Sequence, residues 1–256
     1  MNNISFNPKE VTEYVVDLGK QKIEKKLGTL IVQGIMAGMF ISFGAVAFIN
    51  ILSKTSDAGL GLFLASAVFP VGIIAILILG FELVTGNVLA MMGVYGKRYR
   101  LGKVAKMLGI VWVANLIGAL SIALAVDSAG MVAPHTAEVL NAMVEDKVGM
   151  GYWQMTIRGV LCNMLVCSGV MMAYTAKDTI SKMFALWLPI VVFIICKAEH
   201  IVANMFYLPT AYLSGADISI LDIIYSFIFV SIGNFVGGAI IIGGGMYLSQ
   251  LKQKQS

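Results

Sequence analysis

The sequence has little charge. Asp, Glu, Lys and Arg make up 12% of its 256 residues and 59% are hydrophobic, whereas a soluble globular domain has about twice that charged fraction. We therefore predict an integral membrane protein, and an all-α one, because continuous rather than alternating apolar runs favour helices over a β-barrel. The apolar residues are enough for six helices of about 20 residues, the length that crosses about 30 Å of hydrocarbon.

Cysteine and histidine are also scarce. The three cysteines, Cys162, Cys167 and Cys196, lie in apolar runs without zinc-binding or C-x-x-C spacing, so we interpret them as buried thiols. The only histidines are His135 and His200, and the sequence has no nucleotide-binding loop. We therefore predict no metal site, no cofactor, and a protein that is not an enzyme.

Six apolar runs are the predicted transmembrane spans. They lie at roughly 28–52, 62–95, 107–126, 155–176, 183–208 and 221–249. We interpret residues 1–256 as one transmembrane channel domain. Its parts are a cytoplasmic amphipathic segment 1–27, a first repeat 28–126, an outer loop 127–154 and a second repeat 155–250.

Residues 1–27 predict a helix rather than a cleaved signal peptide, because no short apolar region precedes a small-residue cleavage site. Asn7 is a plausible N-cap, Pro8 follows at the first helical position, and Glu10 lies three residues after the cap. We expect this helix along the membrane surface or over a pore mouth. A plain interfacial anchor is the favoured interpretation.

The basic residues predict the orientation of the spans. Fourteen of the 18 Lys and Arg residues fall in the N-terminal tail, the 2–3 loop, the 4–5 loop and the C-terminus, all on one side of a six-span topology. Basic loops remain cytoplasmic, so both termini are predicted to be cytoplasmic in the cell inner (plasma) membrane. This bias explains the net charge of +4. We therefore predict contact with membrane lipid and no nucleic-acid partner.

The second and fifth runs share a pattern. Residues 82–87 (ELVTGN) and 199–204 (EHIVAN) carry Glu and Asn at the same spacing, and a proline, Pro70 or Pro189, precedes each. With three spans per repeat, the two halves cross the membrane in opposite senses. Inverted repeats with paired broken helices are typical of transporters and channels, and the breaks mark the site near the bilayer midplane.

Polar residues inside these runs are candidate functional residues. Glu82 and Glu199, with Asn87 and Asn204, are expected to support the helix breaks, the carboxylates accepting hydrogen bonds from freed backbone donors rather than titrating. His200 has no counterpart in the first repeat. We interpret it as a proton donor in a pore rather than a packing histidine.

An anion in an unaided apolar pore would pay an idealised cost of about 20 kcal/mol. Thr85, Asn163 and His200 are the expected hydrogen-bond donors that reduce this cost. Asn163 alone is more typical of a hydrogen bond between helices. Lys147, at the end of an amphipathic segment of the outer loop, would alone be interpreted as solvated surface.

Three separated motifs resemble the signatures of the formate/nitrite transporter family in order and spacing. They are residues 82–87 (ELVTGN), 158–163 (RGVLCN) and 199–206 (EHIVANMF). The resemblance covers essentially the whole chain. It implies an aquaporin-like fold of six spans, an inverted repeat of three plus three with broken helices 2 and 5. It also implies a homopentamer with one anion pore per protomer.

The resemblance further implies roles for individual residues. His200 would be the central pore histidine with Asn163 facing it, and Thr85 and Leu83 would lie on the loop that breaks the second span. Lys147 would be the basic residue near the centre that draws anions in. These roles are expectations carried over from the motifs.

Two aromatic residues, Phe69 and Phe193, would match the family's constrictions on either side of the histidine. One departure is that Lys197 and Ala198 precede Glu199, where family members tend to have Gly-Phe. The extra cation of Lys197 would either shift anion preference or pair with Glu199. Hydrosulfide channels belong to the same family.

The predicted function is a selective channel or transporter for small monovalent anions of weak acids, with hydrosulfide favoured and formate or nitrite next. The alternative is an aquaporin-like channel for neutral small solutes. The paired Asn-Pro-Ala boxes expected of that alternative are absent. A histidine and a lysine at the pore are also poorly suited to excluding charge.

Overall fold

The computed structural model describes residues 5–252, and within them the chain is helical apart from loops and one isolated bridge between Ser5 and Ala176. The outer ends of the predicted terminal segments, residues 1–4 and 253–256 with Lys254, lie outside the described residues. The helices that follow account for all six predicted apolar runs.

Thirteen α-helices are present in the described part of the chain, with a 3₁₀ turn and a π-helical stretch. They are α1 Pro8–Glu24, α2 Leu27–Lys54, α3 Ala58–Val68, α4 Val71–Leu79, α5 Val84–Asn87, the 3₁₀ turn Val88–Ala90, α6 Met91–Tyr95, α7 Leu101–Ser128, α8 Pro134–Val148, α9 Tyr152–Thr175, α10 Thr179–Ile195, α11 Ile201–Leu213, α12 Ile220–Phe235, the π-helix Val236–Gly243 and α13 Gly244–Gln250.

Helix α1 begins at the predicted cap. The Asn7 side chain accepts a hydrogen bond from the Glu10 N–H at 2.9 Å, and the Glu10 carboxylate accepts one from the Asn7 N–H at 2.8 Å, which confirms the capping box. Val11, Val15 and Val16 are buried on its inner face. The helix therefore packs on the helical core and is not a free interfacial anchor.

Helices α2 and α7 pack closely because glycines remove side chains from their contact. Gly38 of α2 lies against the backbone of Asn115, and Gly118 of α7 lies against the backbone of Ile35. In the second half of the chain, Gly233 of α12 lies against the backbone of α9 in the same way. Each repeat therefore has a tightly packed helix pair beside its broken helix.

The second and fifth predicted runs are interrupted, as expected. Helix α4 ends at Leu79 and α5 begins at Val84, while α10 ends at Ile195 and α11 begins at Ile201. The residues between them run as irregular chain, so backbone donors and acceptors are freed at both breaks.

Five helical stretches of the described chain are long and apolar enough to cross a membrane. They are Leu27–Lys54, Ala58–Leu79, Leu101–Ser128, Tyr152–Thr175 and Ile220–Gln250. The fifth predicted run is divided between two shorter apolar helices, α10 and α11. The count of six spans therefore stays a prediction.

Two of the three cysteines are buried, and the third corrects an expectation. Cys162 and Cys167 are enclosed in α9, but Cys196 is exposed. Cys196 is the C-cap residue of α10, at the start of the irregular chain of the second break. The prediction of three buried thiols is therefore wrong for Cys196.

Replacing Gly118 by alanine is expected to destabilise the protein, because the added Cβ would overlap the Ile35 carbonyl oxygen. Backbone cannot rotate away, so α2 and α7 must separate, and overpacking of this kind typically costs about 1–3 kcal/mol. Gly109→Ala is the control on the same helix, since a Cβ there meets nothing within 4 Å. Thermal unfolding in detergent should show a lower apparent Tm for Gly118→Ala alone. Equal Tm values would contradict the close helix approach.

Candidate functional site

The first helix break is held by an asparagine of α7. Asn115 Oδ1 accepts a hydrogen bond from the Val84 N–H at 2.9 Å. Its Nδ2 donates to the carbonyl oxygens of Glu82 at 2.9 Å and Gly34 at 2.8 Å. One fully buried side chain thus satisfies freed backbone groups at the break and ties them to α2.

The second break is held in the same way by Asn234 of α12. Its Oδ1 accepts from the Ile201 N–H at 2.9 Å, and its Nδ2 donates to the carbonyl oxygens of Glu199 and Gly159, both at 2.8 Å. The correspondence with Asn115 extends the internal repeat to the third helix of each half. Sequence reasoning missed both residues, although each is an asparagine inside an apolar run. A polar residue in such a run indicates a buried hydrogen-bonding role.

The carboxylate of Glu82 is bound by lysines, not by backbone donors. Lys22 and Lys25 of α1 each place Nζ 2.7 Å from a Glu82 oxygen, and Lys22 also donates to the side-chain oxygen of Asn87. Glu82 is only 1% exposed. A buried carboxylate needs a cation close by, and α1 supplies two.

Glu199 is bound in a matching arrangement. Lys147, near the end of α8, lies 2.7 Å and 2.8 Å from the two oxygens of Glu199, and Asn204 Nδ2 donates to the same carboxylate at 2.8 Å. The expectation that the two carboxylates accept hydrogen bonds from freed backbone N–H groups is therefore wrong. Asn115 and Asn234 take the backbone groups, and the carboxylates anchor lysines instead.

His200 caps helix α11 from the break itself. Its Nδ1 accepts a hydrogen bond from the Ala203 N–H at 3.2 Å. Its Nε2 lies 3.0 Å from Thr85 Oγ1 on the other broken helix. Because Nδ1 is an acceptor, the neutral imidazole in this arrangement carries its proton on Nε2 and donates it to Thr85. The hydroxyl proton of Thr85 is then free to point at a ligand.

Asn163 contacts the backbone of Thr85 and donates no hydrogen bond to the imidazole of His200. Its Nδ2 donates to the Thr85 carbonyl oxygen at 3.1 Å and to the Asn234 carbonyl oxygen at 2.6 Å. Both amide protons are therefore used. The expectation that Asn163 offers a hydrogen bond to an anion is wrong, and its contacts instead hold Thr85 in position.

Two cavities reach the broken helices, one at residues next to Thr85 and the other at His200. The one that we call the α1-side cavity has a volume of about 240 Å³ and is lined by Lys22, Lys25, Glu82, Leu83 and Gly86 among others. The α8-side cavity has a volume of about 420 Å³, and its lining includes Phe69, Phe193, Lys147, Lys197 and His200. Helix α1 therefore covers a cavity mouth, the second of the two positions expected for it.

The aromatic residues lie on one side of the histidine. Phe193 stacks on His200 with ring centres 6.0 Å apart, and Phe69 meets Phe193 edge to face at 6.2 Å. Both rings line the α8-side cavity. The expectation of constrictions on either side of His200 is therefore wrong for these two residues, and Leu83 is among the apolar residues that line the α1-side cavity.

Lys197 lies at the second break with an unusual backbone. Its φ of +52° is in the left-handed region, which costs a non-glycine residue about 1–2 kcal/mol. Gly80 occupies the corresponding place before Glu82, with φ of +73°. In the described residues the Lys197 ammonium makes no ion pair or hydrogen bond. Glu199, the partner considered for it, is bound by Lys147.

These features define a class of protein. Long apolar helices, two broken helices related by an internal repeat, and a buried polar pair between two lysine-lined cavities are the architecture of a membrane transport protein. The profile described as formate/nitrite transporter matches residues 9–248. The chain belongs to the formate/nitrite transporter family.

Curated relatives agree over nearly the full length of the chain. An uncharacterised transporter of Bacillus subtilis (strain 168) is 31% identical over 97% of this chain and 95% of its own. A formate channel of Bacillus thuringiensis is also 31% identical, over 96% of each chain. The family assignment therefore covers both halves of the repeat.

Solved structures share the fold. A pentameric formate channel with formate bound superposes with a TM-score of 0.78 at 24% identity, over 88% of this chain and 98% of its own. An ion channel of the same family gives a TM-score of 0.84 at 23% identity, over 94% of this chain and 98% of its own. At these identities the likeness concerns the fold.

Removing the Asn234 side chain is expected to destabilise the second break. Asn234→Ala leaves the Ile201 N–H and the carbonyl oxygens of Glu199 and Gly159 without this partner, and each buried group so orphaned costs about 1–3 kcal/mol. Asn50→Ala is the matched control, because the half-buried Asn50 donates only to Val46 within its own helix. Size-exclusion profiles after heating in detergent should show earlier loss of folded protein for Asn234→Ala. Identical profiles for the two variants would contradict the holding role.

Proposed function

We propose that this chain forms a selective pore for small monovalent anions of weak acids. The observation that carries the proposal is the buried Thr85–His200 hydrogen bond, which joins the two broken helices. His200 lines the α8-side cavity. Leu83 and Gly86, on either side of Thr85 in sequence, line the α1-side cavity. A solute that passes from one cavity to the other meets this pair.

The lysines attract anions to both cavities. Lys22 and Lys25 line the α1-side cavity, and Lys147 lines the α8-side cavity. Positive clefts with low-dielectric walls raise the local concentration of anions and their rate of entry. The resemblance assigns this role to Lys147, which in this structure forms an ion pair with Glu199.

Buried apolar residues that line the two cavities set the barrier. Leu83, Phe69 and Phe193 are each 3–4% exposed, and an isolated ion entering such surroundings pays an idealised cost of about 20 kcal/mol. An anion that accepts hydrogen bonds or a proton pays less. Conjugate bases of weak acids accept both, whereas chloride at neutral pH accepts a proton negligibly.

Thr85 and His200 supply the polar contacts at this barrier. The neutral imidazole donates from Nε2 to Thr85, whose hydroxyl proton is directed to the anion. An imidazolium would carry a second proton on Nδ1. That N–H would then face the Ala203 N–H, and two donors cannot form a hydrogen bond with each other. Release of a proton from His200 therefore requires the ring to leave its cap. Hydrogen-bond donation is the role that this geometry favours.

Formate is the substrate that the relatives support first. A formate channel is among the relatives, and a formate-bound channel is among the structures that share the fold. Hydrosulfide, which the sequence favoured, stays a prediction together with nitrite. All three are small conjugate bases that the same Thr85–His200 pair accommodates.

The assembly and topology are part of the proposal. We infer an aquaporin-like arrangement of six spans, with α10 and α11 joined at the break as the fifth, and both termini on the cytoplasmic side of the cell membrane. A structure that shares the fold is described as a pentameric formate channel, which supports a homopentamer with one pore per protomer. The exposed large apolar side chains on α7 and α12 suit contact with lipid or neighbouring subunits.

Replacing His200 by asparagine tests the proposal. Asparagine is a good N-cap and keeps an acceptor for the Ala203 N–H, so α11 is expected to stay intact. The imidazole that donates to Thr85 is lost. Formate uptake into proteoliposomes is expected to fall about tenfold, the factor that corresponds to loss of one hydrogen bond of about 1.4 kcal/mol. Folding is checked by size-exclusion, and normal uptake by a folded His200→Asn variant would contradict the role of His200.

A further inference from the structure

The two cavities carry the same formal charge, but from different sources. On the α1 side, Lys22 and Lys25 face the single carboxylate Glu82, which leaves one positive charge. On the α8 side the charged lining residues are Asp146, Lys147, Arg158, Lys197 and Glu199. With neutral His200 these also leave one positive charge. Without Lys197 the α8-side cavity would be neutral.

Lys197 occupies a position whose backbone favours glycine. Its φ is +52°, and the equivalent position of the first repeat is Gly80 with φ of +73°. Both residues follow the last turn of a helix and precede the buried glutamate of the break, Glu82 or Glu199, by two positions. A lysine here costs conformational energy that glycine avoids, so the stability of the break does not explain its presence.

The Lys197 side chain is available to a solute. It is exposed, lines the α8-side cavity and makes no ion pair or hydrogen bond with the described residues. Lys147, by comparison, is bound to both oxygens of Glu199. The Lys197 ammonium therefore presents a positive charge that the nearby carboxylates leave uncompensated.

We propose that Lys197 is an anion-capture residue that gives the α8-side cavity its net positive charge and concentrates anions there before they reach His200. The proposal rests on the function proposed above. It assigns capture on the α8 side to an unpaired lysine at the helix break, while Lys147 holds Glu199. Positive charge at a cleft raises anion entry by tenfold or more in favourable cases.

Glycine and glutamine substitutions separate charge from backbone strain. Lys197→Gly removes the charge and relieves the strain, so it is expected to fold at least as stably as the wild type. Lys197→Gln removes the charge and keeps a long side chain with a positive φ. Lys197→Arg keeps the charge. If charge is what matters, the first two variants behave alike and the third resembles the wild type.

Lys97 is a matched control on the other side of the molecule. It has φ of +54°, follows a helix in the same way and is exposed. Its neighbours Gly96 and Arg98 line a groove shared with α1, away from the α8-side cavity. Lys97→Gly relieves the same kind of strain and removes the same charge, and its uptake of formate is expected to be unchanged.

The experiment measures uptake of radiolabelled formate into proteoliposomes over a range of concentrations. For Lys197→Gly and Lys197→Gln, the concentration that gives half-maximal uptake is expected to rise about three- to tenfold, with the maximal rate little changed. Added potassium gluconate should slow uptake by the wild type more steeply than uptake by Lys197→Gln, because salt screens the charge. Lys197→Arg should restore the wild-type value.

The outcomes distinguish the two proposals. If the wild type gives no uptake of formate, nitrite or hydrosulfide above empty liposomes, the proposed function fails. If the wild type transports and folded Lys197→Gln matches it in half-saturation and salt dependence, the assignment of Lys197 is overturned. Reduced formate uptake by Lys197→Gln together with normal uptake by Lys197→Gly would also overturn the assignment of Lys197, since backbone strain rather than charge would then be responsible.

Discussion

The constraint on which this structure depends is that backbone polar groups have no water to bind inside a membrane. Two helices break in the middle of apolar runs, and each break frees N–H and C=O groups that must find partners. Asn115 and Asn234 supply them with the same set of three hydrogen bonds. Irregular chain at that depth becomes stable because one amide side chain per repeat replaces the missing helical bonds.

The breaks in turn determine where charge is placed. Each carries a buried glutamate, and each glutamate is bound by lysine from a helix outside the long spans, α1 for Glu82 and α8 for Glu199. Fixing the breaks thus brings cations to both cavities. On the α1 side these contacts leave a surplus positive charge, because two lysines bind one carboxylate, whereas on the α8 side the surplus depends on Lys197, which takes no part in them.

Much of the architecture could be predicted from the sequence, because hydropathy and the repeated Glu and Asn spacing are local signals. The breaks, and the placement of Thr85 at the first of them and of His200 in the pore, followed from these and from the family motifs, whereas the contact between Thr85 and His200 was not predicted. The partners of the carboxylates did not, since Lys22 and Lys25 belong to a polar segment that reads as solvated. Their pairing with Glu82 depends on how α1 folds over the α1-side cavity, which no local pattern encodes.

Other errors have the same origin in tertiary packing. The Asn163 side chain has two N–H donors, but both bind backbone carbonyl oxygens that come near only when α9 has packed in the folded protein. Phe69 and Phe193 are far apart in the chain, and their contact on one side of His200 depends on how α10 packs against α3. The sequence shows which side chains stand at these positions, but the direction in which each one points depends on the folded structure.

The central claim is that the Thr85–His200 pair admits anions because they are small conjugate bases of weak acids. The most direct measurement is a series of fluxes through wild-type protein in liposomes, with formate, nitrite, hydrosulfide and chloride offered at the same concentration and pH. The account predicts that the three weak-acid anions cross rapidly and compete with one another, while chloride crosses slowly and competes poorly. Chloride flux equal to that of formate would contradict it.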